Sequence, residues 1–522
     1  MALSRRDFLR SGGIGLGVLA TGLRGYAAQT EQVDALVIGS GFGGSIAALR
    51  LAQAGVNVVV LERGRRWPIT DAQDTFCTFE NPDGRSSWLS DVTTDLVPTP
   101  IDVYTGVLEL INGNGIVVRN GAGVGGGSLA YNAIILQPSR ELFQRVFPPE
   151  IDYDQMVSTY YPRVRSIIKS SPMPNFILET PYYKSARVNL EQAQAAGFNT
   201  RLTEVGVNWK TIHDEISGRK RPSAIDGQSW FGLNSGAKNS VDRNYLAMAE
   251  ATGKVEVLPL HLVVDISEDL SAGLYIASVN RIDTNGSVIE RKVFTTKRLF
   301  LAAGSMGTSS ILLKAKAKGM MPRLNQYVGQ GWGNNGDFVA VRSGVLPRDG
   351  SGTNNAGQGG PCGHILMEDT RNPYSPTNLI ELVVPKNIAF QGGSSYVGLG
   401  VAPPVGYFTY DPASDSTTLN WPADDPRLAS FHAGAMSMVD TLNASNPGSA
   451  TSLFAGNFTA HPVGGANAGM VCDMFGRVFG HNGLYVVDGA FVPGGSVGGV
   501  NPSFTIAALA ERSMEKIVDQ DL

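Results

Sequence analysis

Two sets of residues in this 522-residue chain have the types and spacing to do chemistry. The first is Gly39-Ser40-Gly41-Phe42-Gly43-Gly44, with Glu62 standing 23 residues past Gly39. Gly39 permits a tight turn, and Gly41 lets backbone approach a pyrophosphate with no Cβ in the way. Gly44 allows a helix to pack closely on a strand. A carboxylate at Glu62 can accept hydrogen bonds from ribose hydroxyls, so the chemistry is that of holding a dinucleotide. The second set is titratable. Of the six histidines, His461 alone sits in a glycine-flanked motif, His461-Pro462-Val463-Gly464-Gly465. An imidazole titrates near ~6.5 and can take a proton at neutral pH. Glu381 is a charge inside the apolar run Leu379-Ile380-Glu381-Leu382-Val383-Val384. Buried there it would have a raised pKa and be able to shuttle a proton; on a half-exposed strand it would be a solvated position.

The elements that must position these residues are legible around them. Val33–Ile38 is a buried-strand run that leads straight into the first glycine loop, and Ser45–Ala54 continues as a helix stopped by Gly55. Val56–Leu61 is a second strand, ending at Glu62. Strand, glycine turn, helix, strand and acid together form a dinucleotide fingerprint, which by itself suits NAD as well as FAD. A second glycine loop, Asn120-Gly121-Ala122-Gly123-Val124-Gly125-Gly126-Gly127-Ser128-Leu129, follows the strand-like Gly115–Val118. Leu299–Ser305 is another buried strand closing on small residues, with a helix from Ser309 to Lys318. The strand Leu484–Val487 ends at Asp488 and Gly489, at the carboxyl edge where open α/β sheets bind ligands. Asn501-Pro502 begins a final helix whose N–H groups point towards an anionic ligand.

These motifs, taken together, resemble the glucose–methanol–choline (GMC) family of FAD oxidoreductases, and within it the bacterial cholesterol-oxidase branch. The resemblance covers essentially the whole chain after its first residues. It rests on Gly123–Leu129, Thr252-Gly253-Lys254-Val255, Phe300–Ser305, Val328-Gly329-Gln330-Gly331-Trp332-Gly333, His461–Gly465, Val500-Asn501-Pro502 and Ala508-Leu509-Ala510-Glu511-Arg512. It implies an α/β fold in two discontinuous lobes. The Rossmann-like FAD lobe takes residues 31–150, 240–320 and 465–522; the substrate lobe, with a mostly antiparallel sheet, takes 151–239 and 321–464. It implies FAD contacts from Gly39, Gly41, Phe42, Gly43, Gly44 and Glu62, and from Gly121, Gly125, Gly126, Gly127 and Ser128. Val263 resembles the position that touches the adenine end, while Asp488, Gly489, Asn501, Pro502 and Phe504 resemble the flavin end. No histidine or cysteine stands beside either glycine loop, so a non-covalent FAD is expected.

The same resemblance implies the reaction: oxidation of a small-molecule alcohol, a 3β-hydroxysterol, by hydride transfer to flavin N5, with oxygen accepting the electrons and giving hydrogen peroxide. His461 is then the base or hydrogen-bond partner of the substrate hydroxyl and Asn501 its second partner. Glu381 then moves the ring double bond from Δ5 to Δ4. His213, His261, His364, His432 and His481 read as structural or surface groups. The chain departs from the pattern in 351–380, in Ala130-Tyr131-Asn132, where an asparagine is expected one position earlier, and in two extra residues within Gly494–Gly499. These departures bear on the substrate more than on the chemistry. Rival readings are a GMC dehydrogenase of another alcohol with a non-oxygen acceptor, a flavin-binding redox partner without turnover, and an NAD enzyme, against which the second glycine loop argues.

Composition sets the outer limits. Apolar residues make up 43% and charged residues 17%, ordinary for a globular enzyme. No basic stripe interleaved with aromatics appears, which excludes a nucleic-acid reader. There is no HExxH pattern and no paired cysteine motif, so no metal site is expected. Cys77, Cys362 and Cys472 leave open one disulfide or three buried thiols. Ser4-Arg5-Arg6-Asp7-Phe8-Leu9 precedes a short apolar run from Gly12 to Leu23, the pattern of a twin-arginine export signal over residues 1–27. The mature protein would start near Ala28 and be periplasmic or secreted, with transient membrane-surface contact for sterol uptake. Removing four arginines and one aspartate leaves it more acidic than the whole chain's net charge of −4.

Overall fold

β-branched and apolar runs become buried strands here, and glycines set how closely helices approach them. The computed structural model describes residues 29–94, 98–350, 359–360, 365–369, 371–372, 374, 376–383 and 392–522; residues 1–27 (expected to be an export signal), Cys362 and His364 lie outside these. The nucleotide fold is built from β1 (Ala35–Ile38), α1 (Phe42–Gln53), β2 (Val58–Leu61), β3 (Val255–Leu258), β4 (Leu299–Leu301), α2 (Gly304–Ala317), β5 (Leu484–Val486) and α3 (Pro502–Asp521). Its five strands are parallel in the order β5-β4-β1-β2-β3. Parallel strands are covered on both faces, which is why β1 and β4 are wholly buried. Both α1 and α2 begin earlier than Ser45 and Ser309; for α1 the reason is that Gly43 and Gly44, without a Cβ, fit the first helical turn against the strand ends.

Between β3 and β4 the chain makes an antiparallel meander of His261–Asp269, Leu274–Ile282 and Val288–Thr296, with Gln29–Gln32 added parallel at its edge. The second large sheet has six antiparallel strands, ordered Ala450–Ala455, Phe338–Ser343, Ser394–Gly400, Thr377–Leu382, Ile365–Glu368 and Asn199–Leu202. One face carries Phe338, whose ring packs edge-on against Phe431 of the helix Ala429–Ser445. From the opposite face Asn378 Nδ2 donates to the carbonyl of Gly499, 2.8 Å away, so that face meets the chain leading into α3. A continuous apolar core joins both sheets, and a smaller aromatic cluster gathers Trp67, Phe76, Phe79, Trp230 and Phe231.

Cys77 and Cys472 are free and buried. Burial pushes the Cys77 thiol up to about 12 and Cys472 well above its usual range, so neither ionises near neutrality. No helix among the described residues is long and apolar enough to cross a membrane.

Candidate active site

The first glycine loop is shaped by contacts that leave no room for side chains. Gly39 has φ +100°, and a Cβ there would lie 2.2 Å from the carbonyl oxygen of Ala302 in the turn after β4. A Cβ on Gly43 would lie 2.0 Å from Val487 O, and one on Gly44 2.0 Å from Gly39 O. These glycines let the ends of β1, β4 and β5 converge on the start of α1. Gly41 is different, because its Cβ would meet only the Cα of Gly126, at 3.9 Å. It faces open space at the α1 N-terminus, where no side chain caps the helix. Gly127 of the second loop likewise has nothing within 4 Å. Open, Cβ-free backbone on both loops beside an uncapped helix N-terminus is what a pyrophosphate requires, so these residues fit FAD.

The loops are locked to each other through Glu62. Its Oε2 accepts from Ser40 Oγ at 2.6 Å and Ser40 N at 3.2 Å, and its Oε1 accepts from Gly64 N at 2.9 Å. Ser40 Oγ in turn accepts from Gly125 N. Glu62 therefore ties the two glycine loops together, with Oε2 accepting two hydrogen bonds and Oε1 one. In the second loop a Cβ on Gly121 would lie 2.6 Å from Gly127 Cα, while Gly125 and Gly126 take positive φ. Ser128 is buried, donating to Gly125 O and accepting from Val241 N. The ring of Phe42 stands edge-on to Tyr131, 5.6 Å away, so Tyr131 occupies the neighbourhood where an asparagine was expected.

Asp488 holds the far wall. Its carboxylate accepts from Gly304 N, Thr308 Oγ1 and Ala490 N, which secures the start of α2. Gly489 O accepts from Gly464 N, joining β5 to the His461 motif. Val263 pairs with Val279 in the meander, half-buried against the main core. Pro502 opens α3, and Phe504 is fully buried with its ring 4.8 Å from Tyr161, packing behind the helix start.

At the α3 N-cap, Asn501 does not cap the helix with its side chain, as asparagine at that position commonly does. Its Nδ2 instead lies 3.1 Å from His461 Nε2, and its Oδ1 is buried without a partner. Behind the imidazole, Nδ1 is 2.9 Å from Oδ2 of Asp337. The structure thus brings His461 and Asn501 together in a partly open site, and adds a carboxylate that sequence reasoning did not select. Asp337 follows Asn334-Asn335-Gly336, which reads as a solvated turn. Its one local signal is an acid placed directly before a strand-like apolar run.

Glu381 is not brought to this cluster. It is buried in Thr377–Leu382 and pairs in register with Tyr396. Strand alternation puts it on the face of Tyr396 and Phe338, beneath the helix Ala429–Ser445, whereas its even-numbered neighbour Asn378 reaches Gly499. The expectation that Glu381 faces the reacting alcohol is therefore not matched by its place in the sheet.

Sequence models of the GMC oxidoreductase family match residues 33–330 with the N-terminal domain and 405–510 with the C-terminal domain. A cholesterol oxidase of Mycobacterium tuberculosis is 28% identical over 92% of this chain and 90% of its own. One of Acinetobacter baumannii is 24% identical over 93% and 94%. The solved structure of a fungal aryl-alcohol oxidase shares the fold with a TM-score of 0.63 at 13% identity, covering 94% of this chain and 99% of the other. Members of this family are in general FAD-dependent. The paired glycine loops, the α/β core and the two family-model matches together establish that the chain belongs to the GMC oxidoreductases.

Proposed function

We propose that the protein oxidises a 3β-hydroxysterol to the ketone with a non-covalently held FAD, oxygen taking the electrons and hydrogen peroxide leaving. The observation that carries alcohol oxidation is the contact between His461 Nε2 and Asn501 Nδ2, aligned in front of a buried carboxylate. A hydroxyl that replaces the amide at Nε2 would donate its proton to Nε2 and accept from the displaced Asn501 Nδ2. FAD, when bound, supplies the hydride acceptor. His461 removes the hydroxyl proton, which raises the electron density that expels the hydride from the carbon. Asn501 orients the oxygen at the start of α3. The sterol is favoured over another alcohol by the likeness to cholesterol oxidases across most of the chain.

Isomerisation of the 5-ene to the conjugated 4-ene completes the reading, with Glu381 as the residue the family resemblance points to and its place on the sheet face beneath the helix Ala429–Ser445 weighing against it. Anaerobic mixing with cholesterol, followed by the flavin absorbance, tests the oxidation. His461→Ala and Asn501→Ala are expected to keep their FAD and to slow flavin reduction by roughly 10²-fold. Wild-type rates in both would remove the assignment, and a wild type inert to sterols but active on another alcohol, with a carrier in place of oxygen, would make it a GMC dehydrogenase. In the same assay Glu381→Gln distinguishes the isomerisation base. Accumulation of unconjugated ketone assigns that role to Glu381, and conjugated enone formed as fast as in wild type assigns it elsewhere.

A further inference from the structure

We propose that Asp337 is a positioning residue that holds His461 in the tautomer with its proton on Nδ1, leaving Nε2 free to receive the alcohol proton. The inference rests on His461 acting as the base of the proposed oxidation. Asp337 is 1% exposed, and its Oδ2 accepts three hydrogen bonds: His461 Nδ1 at 2.9 Å, Thr459 Oγ1 at 3.0 Å and Ala460 N at 3.0 Å. An ionised carboxylate only accepts, so the imidazole must present N–H at Nδ1 and a lone pair at Nε2. That is the assignment in which Asn501 Nδ2 donates to Nε2 in the resting site. When the alcohol's O–H bond breaks, its proton goes to Nε2 and the C–H electron pair leaves as hydride. The buried carboxylate then balances the imidazolium.

The turn that carries Asp337 also holds the second partner. Asn335 and Gly336 both take positive φ, and a Cβ on Gly336 would lie 2.5 Å from Gly400 O. Asn334 Oδ1 accepts from Gly336 N, and Asn334 Nδ2 donates to Asp337 O, closing the turn on itself. Asn335 Oδ1 accepts from Val497 N, and its Nδ2 donates to Val500 O, next to Asn501. Residues two apart in one turn therefore hold the backbone segments that bear His461 and Asn501.

Histidine-selective ¹⁵N labelling of the FAD-loaded enzyme tests the tautomer, with His461→Gln used to assign the resonance. The wild type is expected to carry its proton on Nδ1. Asp337→Asn, whose amide presents either an oxygen or an N–H, is expected to show both tautomers. Its apparent Kd for substrate should be unchanged and its flavin reduction at least about tenfold slower, with Asp337→Glu recovering part of the rate. A wild-type His461 protonated on Nε2 overturns the proposal, and this holds even if Asp337→Asn fails to fold. A folded Asp337→Asn with wild-type tautomer and rate overturns it as well. Because the tautomer is read without substrate, a wrong choice of alcohol leaves this test intact, and wild-type turnover by His461→Ala would instead remove the parent reading.

Discussion

Asp488 is a carboxylate whose setting pulls its acidity in two directions. Burial pushes it up to about 6, although hydrogen bonds from Thr308 and from the amides of Ala490 and Gly304 pull it down. An acid that binds its proton more tightly when folded adds most stability below its unfolded pKa of 3.8, and that contribution is lost as pH rises through about 6. Asparagine at this position does not titrate. The stability of wild type relative to Asp488→Asn should therefore fall by on the order of 1 kcal/mol between about pH 5 and pH 7.5. Denaturant unfolding of the FAD-loaded proteins measures it, and a pH-independent difference would count against the ionisation described. Single residues were unequally legible in the sequence. Gly39, Gly44 and Asn501 stand in local motifs whose backbone demands can be read from neighbours. Asp337 owes its burial to segments 124 residues further along, and an Asn-Asn-Gly-Asp turn carries no trace of them. Alternation told which residues share a face with Glu381, but no local pattern told which face meets the site.

At the scale of elements, the glycines of the first loop separate into two kinds, and substitution should distinguish them. Alanine at Gly44 puts a methyl 2.0 Å from a backbone carbonyl of β1's own turn, which α1 can relieve only by lifting off the sheet. Gly44→Ala is expected to lose about 3 kcal/mol or more, or not to accumulate. Gly41 has φ −70° and ψ −160°, which alanine adopts freely, and beyond its chain neighbours the added methyl would meet only Gly126 Cα, at 3.9 Å. Gly41→Ala should fold with wild-type stability when stripped of flavin, yet bind FAD at least about tenfold more weakly, as read by flavin fluorescence titration. Equal FAD affinity would show that the pyrophosphate does not approach Gly41. Of the parallel strands, β1, β2, β4 and β5 were legible because each is a short apolar run that closes on small residues or an acid, whereas β3, Val255-Glu256-Val257-Leu258, carries a charge and was not read as a strand. The order of the six-stranded sheet was not legible, since its edge strand Asn199–Leu202 is largely polar, Ala450–Ala455 shows no clean alternation, and the partners of both are far off in sequence.

For the whole molecule, the expected export route and the fold make a joint demand, because the twin-arginine pathway carries proteins already folded. Lysine at both Arg5 and Arg6 should leave unprocessed, flavin-loaded enzyme in the cytoplasm, detected by fractionation and immunoblotting; unchanged export would assign residues 1–27 another role. The sheet order gives this demand a timetable. β5 pairs with β4, and α3 lies along α1, where Arg50 makes a two-pronged ion pair with the buried Glu511. Both partners belong to the last forty residues of the chain. While the ribosome is still translating, β4 has a bare edge, α1 has an uncovered flank, and Asn501 does not yet exist. The glycine motif at residues 39–44 therefore lacks the neighbours that complete its cradle until residues 484–521 are made. Under the twin-arginine reading, cofactor loading and export should therefore both follow completion of residues 484–521, whose pairing finishes the cradle.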